Sequence, residues 1–243
     1  MERTAVIYDD IKLFFIPNKK IIAIAGLVAI LYSFKTIDRN TVWENNFTLY
    51  SNDVNISSQS TRMHYYLGRE LVKEIAPNEK NEQKKKEYFL QGIAELEKAI
   101  AISPTYSDAY SQMGLGYTRM GDKAKAIECY LSALKYTPND PISMNNLAAE
   151  YFTQGKYEEC IIMYNRILKL DPRYVDAMVN LASCYGTIRD YDNAITWFRK
   201  ALEIDPNNAQ ANYFLSMTYK LKGDNANADF YYKKAKELDP SIK

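Results

Sequence analysis

Five prolines, Pro104, Pro138, Pro172, Pro206 and Pro240, stand 34 residues apart along a chain of 243. A fixed interval of that length constrains the fold more than any local motif. It means one supersecondary unit recurring, and a unit so short cannot bury its own apolar face without neighbours. Other columns keep the same step: Tyr110, Met144, Met178, Asn212; Met113, Leu147, Leu181, Leu215; Gly114, Ala148, Ala182, Ser216; Tyr117, Tyr151, Tyr185, Tyr219. Within each unit these fall at i, i+3, i+4 and i+7, one face of a helix. A turn follows, marked by Gly121, Gly155 and Gly223, with Arg189 as the exception. A second helical face comes after it: Ala126, Cys160, Ala194, Ala228; Tyr130, Tyr164, Phe198, Tyr232; Ala133, Ile167, Ala201, Ala235. Small residues let two antiparallel helices approach, and aromatics fill the space beside the contact. Each proline then closes the second helix, because it has no amide hydrogen to donate and disfavours helical geometry in the residue before it.

These columns resemble the tetratricopeptide repeat, in which W-x2-L-G-x2-Y, A-x3-F and a late proline recur every 34 residues. The likeness covers residues 107–140, 141–174, 175–208 and 209–242. An earlier unit, 61–106, is irregular. His64, Leu67, Gly68 and Leu71 fit its first helix and Gly92, Leu96, Ala99 and Pro104 its second, with 12 extra residues between. The charged run Asn78 to Glu87 within that insertion reads as a solvated loop or an extended helix end. The resemblance implies an all-α, right-handed solenoid of about five helical hairpins over residues 61–243. Before it, Thr41-x-x-Glu44 reads as a capping box opening a helix with Trp43, Phe47, Tyr50 and Val54 on one side, so residues 38–60 form a linker and a capping helix over the first repeat.

Composition removes several classes of function. Net charge is +1, too balanced to hold a polyanion by counterion release, so nucleic acid is a poor partner. Cys129, Cys160 and Cys184 form no CxxC pair, and His64 is the sole histidine; neither a metal centre nor a histidine-based triad can be assembled from this chain. No cofactor is implied and no catalytic constellation appears, so the chain reads as a non-enzyme. His64 falls in a core column and reads as a packed residue.

Residues 21–34, IIAIAGLVAILYSF, follow Lys19 and Lys20 and precede Lys35. With Thr36 and Ile37 added, and the flanking lysines reaching outward, the run reads as a single transmembrane helix over 21–37 after a tail of 1–20. Two other readings compete, a secretory signal peptide and a buried soluble helix. No small-x-small cleavage site follows the run, and its lead is long for a signal peptide. Lys12, Lys19 and Lys20 before the run, against Lys35 and Arg39 after it, favour the N-terminus in the cytoplasm and the repeats on the periplasmic or lumenal side. Arg39 to Tyr50, RNTVWENNFTLY, directly followed by repeats, resembles the exit from the last membrane helix in transmembrane-and-tetratricopeptide-repeat proteins, which include protein O-mannosyltransferases. The many membrane helices and acidic catalytic loop of that family have no counterpart here. Asp9 and Asp10 read as an exposed acidic tail, and no activity is carried over. If Met1 is an internal start, the likeness implies the C-terminal piece of a larger glycosyltransferase.

In the repeats so resembled, the first helices line a concave groove for extended peptides or helices. Helical spacing puts on that stripe Tyr65 and Arg69; Ser111, Gln112 and Leu115; Asn145, Asn146 and Ala149; Val179, Asn180 and Ser183; and Tyr213, Phe214 and Met217. Gln112, Asn146 and Asn180 recur 34 apart, carboxamides able to donate to and accept from a peptide backbone with little selectivity; asparagine common in such repeats, or capping local structure, is the plainer alternative. The groove centre is neutral, so the basic clamp of chaperone-docking repeats is not matched. The leading expectation is a membrane-anchored module that holds a protein or extended peptide. The alternatives are the non-catalytic, substrate-presenting end of a glycosyltransferase and a scaffold in envelope assembly.

Overall fold

The computed structural model describes Leu27 and residues 45–242, and every regular element among them is helical. The chain divides into two units, one ending at Ile56 and one beginning at Ser57. In the first unit α1 spans Asn46–Ile56. Its start is tied reciprocally: the Thr48 amide donates to Asn45 Oδ1 at 2.9 Å and the Asn45 amide to Thr48 Oγ1 at 3.2 Å. Asn45 and Thr48 therefore make the capping box of α1. Thr41 and Glu44, where the sequence suggested one, lie outside the described residues, as does the apolar run 21–37 apart from Leu27. No helix among the described residues is long and apolar enough to cross a membrane.

The second unit is a solenoid of helical hairpins. Its regular hairpins pair α5 (Ser107–Met120) with α6 (Lys123–Tyr136), α7 (Pro141–Thr153) with α8 (Tyr157–Leu170), α9 (Val175–Thr187) with α10 (Tyr191–Ile204), and α11 (Ala209–Lys222) with α12 (Asn225–Leu238). Before them come α2 (Thr61–Glu70), a π-helical turn (Leu71–Ile75), a short α3 (Ala76–Asn78) and the long α4 (Glu82–Ile102). The extra residues of the first hairpin are thus built into helix. Only Glu79 to Asn81 remain between the two arms, and Lys84, Lys85 and Lys86 of the charged run ride on the first turns of α4.

Each second helix packs on the first helix of the next hairpin, α4 on α5, α6 on α7, α8 on α9 and α10 on α11. The inward columns carry this stack. Leu147, Leu181 and Leu215 are fully buried, as are Ala148, Ala182, Cys160, Ala194 and Ala201, with Tyr130, Tyr164 and Phe198 between them. Each fully buried leucine contributes roughly 1.5–3 kcal/mol. First helices of neighbouring hairpins also touch, α2 with α5, α5 with α7 and α9 with α11, which puts the first helices on the inner side of the curve.

Two departures from regularity have local causes. A Cβ on Gly68 would stand 2.8 Å from the Gly92 carbonyl, and one on Gly92 would stand 2.9 Å from Val72, so the first hairpin crosses where neither arm has a side chain. One turn further on, Pro77 has no amide hydrogen. The Ala76 amide turns back to Leu71 O, five residues earlier, and the helix widens into the π-turn. Val72 O then has no partner in its own helix; the guanidinium of Arg119, on α5, takes it.

The turns show a second exception. Gly121, Gly155 and Gly223 adopt φ of 80°, 74° and 88°, the left-handed conformation that ends a helix and reverses the chain. Arg189 takes the same conformation with φ 64° despite its side chain. On α12, Asp229 and Lys236 are exposed where earlier hairpins place Ile195, Leu134 and Leu168 in the core and Ile127, Ile161 and Leu202 half-buried against it.

Candidate functional site

The surface made by α5, α7, α9 and α11 holds two depressions side by side on the sequence-predicted stripe. The first is polar, about 310 Å³, and three successive hairpins contribute to it: Asn145 from α7, Tyr174, Asp176, Val179 and Asn180 from the start of α9, and Asn208 and Gln210 from the start of α11. Asn208 also caps α11, its Oδ1 accepting from the Ala211 amide at 2.9 Å. Asn180 shares a hydrogen bond with the Tyr164 hydroxyl, which lowers that phenol's pKa; burial outweighs it and holds the pKa well above the ordinary tyrosine range.

The second depression is apolar, about 350 Å³, lined by Phe152, Phe198, Phe214, Met217 and Leu221, with Ser183, Gly186, Thr187 and Thr218 between them. At Gly186 a Cβ would meet nothing nearer than Ala194 at 3.9 Å, ordinary contact distance. Met217 and Leu221 are 45% and 64% exposed, large apolar side chains that the fold itself does not cover.

The predicted stripe is only partly brought together. Asn145, Val179 and Asn180 share the polar depression; Ser183, Phe214 and Met217 share the apolar one. Tyr213 lies beside Phe214, with ring centroids 5.7 Å apart. Gln112 and Asn146 are half-buried and line neither depression, and Gln112 Oε1 is buried without a partner among the described residues. Leu115 is half-buried and Ala149 exposed on the same stripe. At the first hairpin the stripe closes up: Tyr65 is buried, edge-on to Tyr106 at 5.1 Å, and Arg69 lies against the Tyr66 ring; Ser111, on α5 of the next hairpin, is buried too.

Sequence spacing stopped one turn short. Continuing the stripe three and four residues beyond Ala149, Ser183 and Met217 reaches Phe152, Gly186, Thr187 and Leu221, all lining the apolar depression. A relay between hairpins was also missed. The Tyr130 hydroxyl donates to Thr118 Oγ1 at 3.2 Å, and Thr118 donates to Oε1 of the buried Glu150 at 2.5 Å. Nothing in local sequence pairs residues 32 apart on different hairpins.

His64 is buried, as its column predicted, but not among apolar groups alone. Its Nδ1 lies 2.6 Å from Glu95 Oε2 and its Nε2 3.0 Å from Ser58 O, while Lys98 reaches the other Glu95 oxygen at 2.7 Å. Cys129, Cys160 and Cys184 are free and buried, and burial pushes the Cys129 thiol up to about 12. Among the described residues no cluster of His, Cys, Asp or Glu could hold a metal ion.

Comparison with known proteins agrees with this architecture. Family models for the tetratricopeptide repeat match residues 107–140, 139–207 and 209–242. Two curated relatives, the protein O-mannosyl-transferase TMTC3 of Homo sapiens and that of Mus musculus, are each 26% identical over 113 residues. The match covers 46% of this chain and 11% of each relative, so the chain spans a small part of their length. Among solved structures, the MamA protein superposes with a TM-score of 0.59 at 22% identity, over 71% of this chain and 92% of that one. YrrB, described as a TPR protein with an unusual peptide-binding site, superposes with a TM-score of 0.61 at 17% identity, over 79% of this chain and 93% of its own.

Proposed function

Because the chain belongs to the tetratricopeptide-repeat family, a family of protein-interaction modules, we propose that its solenoid binds an extended polypeptide along the first-helix surface. The observation that carries this reading is the uncovered apolar depression of Phe152, Phe214, Met217 and Leu221. Its volume suits one large apolar side chain, and the half-buried carboxamide of Asn146 lies along the same stripe, where it can pair with a peptide backbone. The chain is anchored in a membrane by residues 21–37, with the solenoid on the periplasmic or lumenal side. The support for this is the apolar run itself and the lysines before it.

Binding of the full chain to an array of unstructured peptides tests the groove. Leu221→Glu should weaken retained peptides about tenfold, roughly 1.4 kcal/mol. The triple variant with Gln112, Asn146 and Asn180 changed to alanine tests the carboxamide row separately; undiminished retention by both variants removes the groove from the reading.

A second reading rests on the partial match to TMTC3: the chain is the non-catalytic, substrate-presenting part of a membrane glycosyltransferase. Genomic sequence immediately before the Met1 codon decides it. An in-frame run of membrane helices supports it, and an in-frame stop codon just upstream rejects it.

A further inference from the structure

We propose that the polar depression between α7, α9 and α11 binds a neutral saccharide, a ligand distinct from the peptide of the apolar depression. Six of its groups carry the inference: Asn145, Tyr174, Asp176, Asn180, Asn208 and Gln210. Carboxamides offer donors and acceptors together, and the Asp176 carboxylate adds a strong acceptor. Each hydroxyl of a sugar donates once and accepts twice, so a ring carrying several of them matches such a mixed lining. No lysine or arginine lines this space, which removes the attraction a phosphate or carboxylate ligand would need. The Tyr174 ring supplies an aromatic wall for the C–H face of a pyranose.

Much of this hydrogen-bonding capacity is unspent, Asn180 being engaged with the Tyr164 hydroxyl. Among the described residues, the side chains of Asn145, Asp176 and Gln210 make no hydrogen bond within the protein, and Asn208 uses only Oδ1, for its cap, leaving its amide hydrogens. A peptide backbone presents its donors and acceptors in a line, whereas these groups converge from three hairpins on one space of about 310 Å³. That volume is near the lower limit of ligand pockets, about 300 Å³, the scale of one or two sugar rings.

The test is saturation-transfer NMR on the full chain in a zwitterionic detergent with no sugar head group. The probes are the methyl pyranosides of glucose, mannose, galactose and N-acetylglucosamine, with N-acetyl-trialanine methylamide as the peptide probe. At least one pyranoside should receive saturation from the protein. Gln210→Leu and Asp176→Leu, both on exposed positions at helix starts, should each reduce that transfer several-fold, and Leu221→Glu should leave it unchanged. Circular dichroism of each variant, superposing on the parent, removes misfolding as a cause. Three outcomes overturn the inference: no transfer to any pyranoside, transfer that survives both leucine substitutions, or transfer to the peptide probe alone that Gln210→Leu abolishes. None of these bears on Leu221, so failure here leaves the peptide reading standing, and failure of the peptide reading leaves this one.

Discussion

Arg119 Nη1 lies 2.8 Å from the carbonyl oxygen of Val72 and 3.1 Å from that of Lys73, joining the first helix of one hairpin to the π-turn of the hairpin before it. The π-turn creates the need and the arginine meets it. Val72 O cannot be served by Ala76, whose amide is spent on Leu71, nor by Pro77, which has no hydrogen to give. Replacing Arg119 with alanine leaves a polar backbone group unpaired and should cost about 1–3 kcal/mol in urea unfolding. In a Pro77→Ala background an amide becomes available to that helix, so the same substitution should cost measurably less. Equal costs in the two backgrounds would show that Arg119 stabilises the hairpin by other means.

Arg189 holds φ 64° where the other turns use glycine. An L-residue in that region carries roughly 1–2 kcal/mol of strain. Glycine relieves it but adds chain freedom to the unfolded state worth about 0.5–1 kcal/mol. Arg189→Gly should therefore stabilise the solenoid by up to about 1 kcal/mol and raise its melting temperature by a few degrees. A lower melting temperature would mean that the arginine side chain makes a contact outweighing its backbone strain.

Stability should fall on the alkaline side. Burial pushes the Cys129 thiol up to about 12, with Glu128 and Glu97 adding to the effect, and burial pushes the Tyr130 phenol up to about 12. In the unfolded chain both groups lose their protons earlier, near 9 and 10, so above those values the unfolded state binds fewer protons and gains relative to the folded one. Each group steepens the decline by up to about 1.4 kcal/mol per pH unit, Cys129 between its unfolded value and 12, Tyr130 over the window starting one unit higher. Urea midpoints measured from neutral to strongly alkaline pH should drop from about pH 9, and Cys129→Ala should delay that drop. A profile unchanged by the substitution would assign the decline to other groups.

The His64–Glu95 pair is the most exacting polar contact in the first hairpin. A carboxylate and a carbonyl, both acceptors, flank the ring. His64→Leu strands the buried Glu95 with Lys98 alone and should cost about 3–5 kcal/mol, the range for removing one partner of a buried pair. Changing Glu95 to leucine as well should recover most of that loss. A double variant as unstable as the single one would point to the Ser58 contact as the element that matters.

Much of the fold is legible in the sequence because it is set by residues repeating in step. Proline spacing locates the hairpin ends, and the alanine and leucine columns identify the helix pairs and their contact faces. What could not be read depends on contacts between units. The charged run from Asn78 is compatible with loop or helix, since lysine and glutamate favour helix only when something holds the turn. The π-turn answers to Pro77 locally but is completed by Arg119, more than 40 residues later. Tyr65 was placed on the open stripe by spacing, and it is buried because Tyr106, in the connection between hairpins, folds over it. Phe152 and Leu221 were within reach of the same spacing rule, one turn further along helices already identified.

Asp229 and Lys236 give the outer side of α12 a different character from its predecessors. Any helix approaching that side must strip water from two full charges before it meets the aromatic rings beneath, a toll that the isoleucine and leucine layers elsewhere never levy. A second copy docking head to tail on that face would have to bury both charges, Asp229 and Lys236, which the apolar layers between earlier hairpins do not carry.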